Sequence, residues 1–248
     1  MRPKLYVFPG SHPCECAEAG MRLKRIDHTR VNLIPAFHKL VVRSHFDGTT
    51  VPALELDGER ILGSRAILRR LEELRAEPRL IPADPALRAR VEEAETWGDG
   101  EFQGLVRRVA WAGLSRDTGA MLSYAADAKM PLPRPLLKLG ARPVAAFASR
   151  FNGADDEHSR ADVRSLPGHF DRIEGWMEEG VLGGESPNVA DLQIGAAIRL
   201  LGTFEDLRPL LAGRACVRLG ESGFEAPVGR IPAGTLPAGW LALEQSAG

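Results

Sequence analysis

An Asp57-Gly58 pair set between two short runs, Ala53 to Leu56 and Arg60 to Leu62, restricts the fold of this chain more than any other local feature. Asp-Gly accepts the two left-handed conformations that a two-residue turn requires, so the pair predicts a tight antiparallel hairpin. Upstream, Lys4 to Phe8 is a run of strand formers stopped by Pro9-Gly10, and Ser11 follows as a candidate N-cap with Pro13 in the first turn. Ala17, Met21 and Leu23, with Lys24 and Arg25 closing the pattern, carry that helix to about Arg25, and His28 to Leu33 reads as a second strand. Pro35 to Val42 is weakly periodic and reads as a short helix, followed by turn chemistry at His45-Phe46-Asp47-Gly48 and a strand from Val51 to Leu56. After the hairpin, Ser64 caps a helix whose Ile67, Leu71 and Leu74 share a buried face, with Arg65, Arg69, Arg70, Glu72 and Glu73 outward. The order is βαβαββα.

Pro78, Pro82 and Pro85 then punctuate eight residues, so residues 1–77 read as an α/β domain, 78–85 as a linker and 86–248 as an all-helical domain. Asp84 can cap a helix that carries Leu87, Val91, Ala94, Trp97, Leu105, Val109 and Ala112 at helical spacing, weakened by Gly98, Gly100 and Gly104. Further helices are expected over Leu136 to Phe151, Asp156 to Met177, and from Asn188 through Leu201. From about residue 220, Pro227, Pro232, Pro237 and interleaved glycines predict an irregular arm. Over 248 residues, 44% hydrophobic and 26% charged residues describe a globular chain rather than a disordered or coiled-coil one. The net charge of −1 supplies no global field for nucleic acid or an anionic membrane. Cys14, Cys16 and Cys216 are too few, and odd in number, for a disulfide framework, so they read as free thiols in a reducing cytoplasm. The N-terminus has neither a signal-peptide core nor the ~20 apolar residues of a membrane span.

Four motifs in this order, Ser11-His12-Pro13-Cys14, Thr50-Val51-Pro52-Ala53-Leu54, Gly63-Ser64-Arg65-Ala66-Ile67-Leu68 and Pro187-Asn188-Val189-Ala190-Asp191, make residues 3 to 205 resemble the cytosolic glutathione transferase superfamily. The resemblance implies a thioredoxin-like N-terminal domain with a mixed sheet, an all-α C-terminal domain, and a homodimer. It implies a cis-proline at Pro52, with the backbone of Val51 offered to the cysteinyl part of glutathione as an added strand would be. Ser64, at a helix N-terminus, is placed for the γ-glutamyl carboxylate. Where the family usually has Glu or Gln before that serine, this chain has Gly63, so a partner for the ligand's amine is missing. Asp99 or Glu101, on the first long helix, could supply an acid from a second subunit. Asn188 and Asp191 fit a structural capping box.

The tyrosine-type enzymes place their working Tyr where this chain has Val7, so the chain resembles the serine or cysteine types, with Ser11 as the working residue. A hydroxyl there could hydrogen-bond a thiolate beside a helix dipole, the sulfur of the bound thiol being the nucleophile. Ser11-His12-Pro13-Cys14 is also similar to a glutaredoxin motif without its first cysteine, and a helix N-terminus would lower the pKa of Cys14, which gives an alternative of thiol-disulfide exchange. Cys14 and Cys16 lie about 200° apart around a helix, which rules out a local disulfide and weakens any metal site that uses His12. The implied partners are glutathione, or another low-molecular-weight thiol, and an electrophilic acceptor between the domains, with Trp97, Phe102 and Trp111 as lining candidates; no metal and no nucleic acid are expected. A non-catalytic binding or assembly module is the other alternative. Arg134, Lys138, Arg142 and Arg150, without acids amid Pro-Leu-Leu and Val-Ala-Ala-Phe, read as a solvated basic face on a packed helix or as a membrane-surface helix.

Overall fold

The hairpin forms one edge of a four-stranded sheet in the computed structural model, which describes residues 2–126, 128–225 and 229–241. Strands β1 (Lys4–Val7), β2 (Thr29–Asn32), β3 (Ala53–Leu56) and β4 (Glu59–Leu62) lie in the order β2-β1-β3-β4. β1 runs parallel to β2, with Tyr6 opposite Val31, and antiparallel to β3, with Leu5 opposite Leu54. Asp57 and Gly58 take φ of 48° and 90°, the left-handed pair that keeps the strand twist continuous through the turn. Because successive side chains alternate, Leu5 and Val7 enter the main core while Tyr6 packs on the other face with Leu33, Val42 and Phe46.

Helix α1 (His12–Leu23) stops two residues before the expected end, where Arg25 turns to a φ of 51°. Helix α2 (His38–His45) starts three residues later than expected, because Ala36 is left-handed at φ 70° and cannot belong to a helical turn. In α3 (Ser64–Leu74) the N-cap is Gly63, not Ser64: a φ of 87° suits glycine, and Ser64 becomes the first helical residue. Leu68 is buried beside Ile67 and Leu71, Leu74 is 43% exposed, and Glu72 turns inward rather than out.

Glu72 turns in because Lys24 is fully buried. The Lys24 Nζ donates to the Glu72 carboxylate and to the carbonyls of Arg75 at 2.6 Å and Pro78 at 2.7 Å. Glu72 in turn accepts the Leu80 N–H at 3.0 Å, so one buried cation gathers the chain that leads from α3 to the next helix. The Val189 N–H then donates to the Leu80 carbonyl, which joins this passage to the helical part.

Helices α4 (Pro85–Trp97) and α5 (Gln103–Arg116) are continuous through a π-helical turn at Gly98–Phe102. Of the three glycines expected to weaken the helix, Gly98 serves packing: a Cβ there would sit 2.8 Å from Ile194 on α9 (Val189–Gly202). Helix α6 (Thr118–Tyr124) was not legible in the pattern, whereas α7 (Arg134–Phe151) and α8 (Asp156–Glu178) fall close to expectation. Arg108 on α5 grips Asp162 on α8 with two bonds of 2.6 and 2.8 Å. Helix α9 is buried almost all round and packs against α1, α4 and α5. Its start is a capping box: Asn188 Oδ1 accepts the Asp191 N–H at 3.1 Å, and Asp191 Oδ2 accepts the Asn188 N–H at 2.9 Å.

A short α10 (Arg208–Leu211) follows, and the arm beyond residue 220 is more ordered than expected. Ile231 bridges to Phe204, Leu236 and Trp240 are buried, and Ala238–Leu241 forms a last turn, α11. Pro227 lies outside the described residues. On α7, Ala141, Val144 and Ala148 face inward and Leu136 and Phe151 face a cleft, while Leu139 is exposed outside it, as are the basic residues. Among the described residues, no helix is long and apolar enough to cross a membrane.

Candidate functional site

A cleft of about 540 Å³ separates the loop end of the sheet from α5, α6 and α7. Residues 8–13, 34–39 and 49–52, together with Gly63 and Ser64, form one wall, and Asp99, Gln103, Arg107 and Trp111 belong to the helical wall. Five of the sequence-derived site residues are thus carried into one space by three separate segments: Ser11, the Val51-Pro52 pair, and Gly63 with Ser64.

Ser11 occupies the N-cap position of α1 with an extended backbone, but its hydroxyl does not cap the helix. The amides at the start of α1 have no intrahelical carbonyl and lie at the positive end of the dipole, as a thiolate would require. Opposite, the Val51–Pro52 peptide is cis, and the Gly63 N–H donates to the Pro52 carbonyl at 2.9 Å, which ties this segment to the start of α3.

Cys14 does not belong to this site. It is 1% exposed and packs in the core; burial pushes its thiol up to about 12, and the Ser11 hydrogen bond offsets only part of that. The helix N-terminus does not win, because the sulfur sits among apolar side chains rather than in the mouth of the cleft. Cys16 and Cys216 are buried as well, and burial raises both thiols. Among the described residues no His, Cys, Asp or Glu cluster could hold a metal.

Beneath the cleft runs a hydrogen-bond chain that the sequence did not disclose. Ser64 Oγ donates to Gln193 Oε1 at 3.0 Å, and the Cys16 thiol reaches the same oxygen at 3.2 Å. Gln193 Nε2 donates to Asp99 Oδ1 at 3.1 Å, Gln103 Nε2 reaches that same Asp99 oxygen at 3.2 Å, and Arg107 donates to Gln103 Oε1. A buried glutamine on α9 thereby couples the serine of α3 to the acid of the π-helical turn. With its proton engaged by Gln193, the Ser64 hydroxyl presents lone pairs to the cleft, and the first amides of α3 lack intrahelical partners.

Asp99 therefore lines the cleft of its own chain, whereas Glu101 lies 3.8 Å from His169 and is 59% exposed. Trp111 lines the cleft; Trp97 and Phe102 do not, because they stack on each other at 5.1 Å within the core beside Trp176. His12 lines the cleft while 3% exposed, burial and the nearby Arg107 push it down to about 3, and its buried Nε2 has no hydrogen-bond partner among the described residues.

Residues 5–79 match the family model of the glutathione S-transferase N-terminal domain. A comparison with curated protein sequences gives no match. Among solved structures, the chain is similar to a glutathione S-transferase from Sinorhizobium meliloti 1021, at 17% identity over 98% of this chain and 100% of that one, with a TM-score of 0.58. It is also similar to the beta-etherase LigF from Sphingobium sp. strain SYK-6, at 22% identity, 81% and 84% coverage and a TM-score of 0.57. A glutathione S-transferase from Rhodospirillum rubrum F11 matches at 21% identity, 81% and 78% coverage and a TM-score of 0.54.

Proposed function

We propose that this chain, which carries a glutathione S-transferase N-terminal domain on the glutathione transferase fold, binds a small thiol and activates it for conjugation to, or reduction of, an electrophilic acceptor. The observation that carries this reading is the convergence of Ser11, Val51 and Ser64, from three separate loops, on one cleft with an apolar far wall. Glutathione is the thiol this geometry favours. Its cysteinyl backbone would run along Val51, its γ-glutamyl carboxylate would meet the first amides of α3 at Ser64, and its sulfur would face the Ser11 hydroxyl and the head of α1. Gly63 brings no side chain to the ligand's ammonium, and Asp99, held at the cleft by Gln103 and Gln193, supplies the missing carboxylate from the same chain.

In this mechanism the sulfur is the nucleophile. Ser11 and the dipole of α1 hold its proton off by favouring the thiolate, which attacks an acceptor seated against Trp111. A homodimer and a reducing cytoplasmic setting belong to the same reading, the latter supported by three free buried cysteines. The test is conjugation of reduced glutathione to a chlorinated aromatic acceptor. Ser11→Ala should lose about 10²-fold or more in kcat/KM, the scale of removing one positioned donor to a developing anion. Cys14→Ser should retain activity, since that thiol is outside the cleft. The opposite pattern would overturn the assignment.

A further inference from the structure

The polar part of the cleft holds more than a thiol needs. Arg107 lines it from α5, half-buried, and among the described residues it makes no ion pair. Burial disfavours its charge, Arg108 repels it, and Asp99 acts on it without closing to contact. Arg107 donates to the neutral Gln103 Oε1, which leaves its charge unpaired, and a partly desolvated guanidinium without a paired anion is costly. Beside it stands His12, 3% exposed, with its ring within reach of the Gln103 backbone. One cation of the helical wall thus borders the cavity, and beyond it the wall is apolar: Trp111, Leu114, Met121, Leu136 and Val144.

We infer that this corner of the cleft is an anion subsite, in which Arg107 receives the carboxylate of an amphipathic acceptor whose apolar body lies along α5, α6 and α7. The inference deepens the thiol-transferase reading by naming the class of acceptor, and it rests on that reading only for the acceptor's role. A carboxylate accepts from the guanidinium and pairs its charge without a proton being moved. A neutral amide offers the guanidinium one carbonyl oxygen and no charge, so it is held more weakly.

Isothermal titration of the full-length protein with phenylbutyrate and with phenylbutanamide tests the subsite without any thiol. Wild type should bind the acid roughly tenfold or more tightly than the amide, the span of one charge-assisted hydrogen bond. Added salt should weaken the acid and spare the amide. Arg107→Met should erase the preference and Arg107→Lys should keep part of it. Equal binding of acid and amide by wild type, no binding of either, or a preference that survives Arg107→Met would overturn the proposal. Should Arg107→Met not fold, the acid-against-amide comparison and its salt dependence in wild type still decide. Reduced glutathione is titrated separately. Acid preference without glutathione binding would sink the thiol reading and leave the subsite standing; glutathione binding without acid preference would sink the subsite alone.

Discussion

At the scale of single residues, burial decides which groups can do chemistry. Cys14 and His12 are neighbours on the first turn of α1, and both are displaced from their usual pKa in the direction that favours the neutral form. A buried thiol is inert, and a buried imidazole stays neutral. The displacement of His12 also has a stability signature. The native protein keeps His12 neutral down to about pH 3, whereas the unfolded chain protonates it at its usual 6.5. Between those values the unfolded state binds the extra proton, so acidification costs stability, fully from this group by the lower limit. His12→Asn should therefore flatten the acid limb. Between about pH 4 and 6, the wild-type unfolding free energy should fall faster than the variant's by about 1.4 kcal/mol per pH unit. Chemical denaturation of both proteins across that range measures the difference, and parallel curves would show that His12 is protonated in the native state.

At the scale of elements, what was legible in the sequence is what short-range chemistry writes. Asp57-Gly58 forces its hairpin within four residues, and Asn188 with Asp191 builds its box within one helical turn. Asp191→Ala should lower stability by about 0.5–2 kcal/mol without a direct loss of activity, which thermal unfolding alongside the conjugation assay would check. The hydrogen-bond chain under the cleft was not legible, because Cys16 and Gln193 are 177 positions apart and Gln193 and Asp99 are 94 apart. Sequence spacing says nothing about side chains that meet only after two helices pack. Lys24 misled for a related reason: a lysine at a helix end usually favours the dipole from solvent, and here the chain after α3 folds over it. Lys24→Met should destabilise by about 3–5 kcal/mol, since it strands the Glu72 carboxylate, and Glu72→Gln added to it should recover part of the loss. Urea unfolding of the single and double variants reads this directly.

At the scale of the whole molecule, the cleft exists because two differently built halves meet. The sheet with α1 and α3 presents loop amides and serines, which suit a polar peptide-like thiol, and α5 to α7 present an apolar wall with one cation, which suits a different ligand. Gly98 lets α9 approach the helix that carries Asp99, so the acid of the helical half reaches the serine of the sheet half through a single glutamine. The central claim is that this junction binds glutathione although Gly63 contributes no side chain to it. A thermal shift of the purified protein in millimolar reduced glutathione tests it most directly, because a ligand at 100 times its dissociation constant stabilises the native state by about 2.7 kcal/mol. The account predicts a clear, concentration-dependent rise in Tm that is diminished in Ser64→Ala. An unchanged Tm at saturating millimolar glutathione would contradict it.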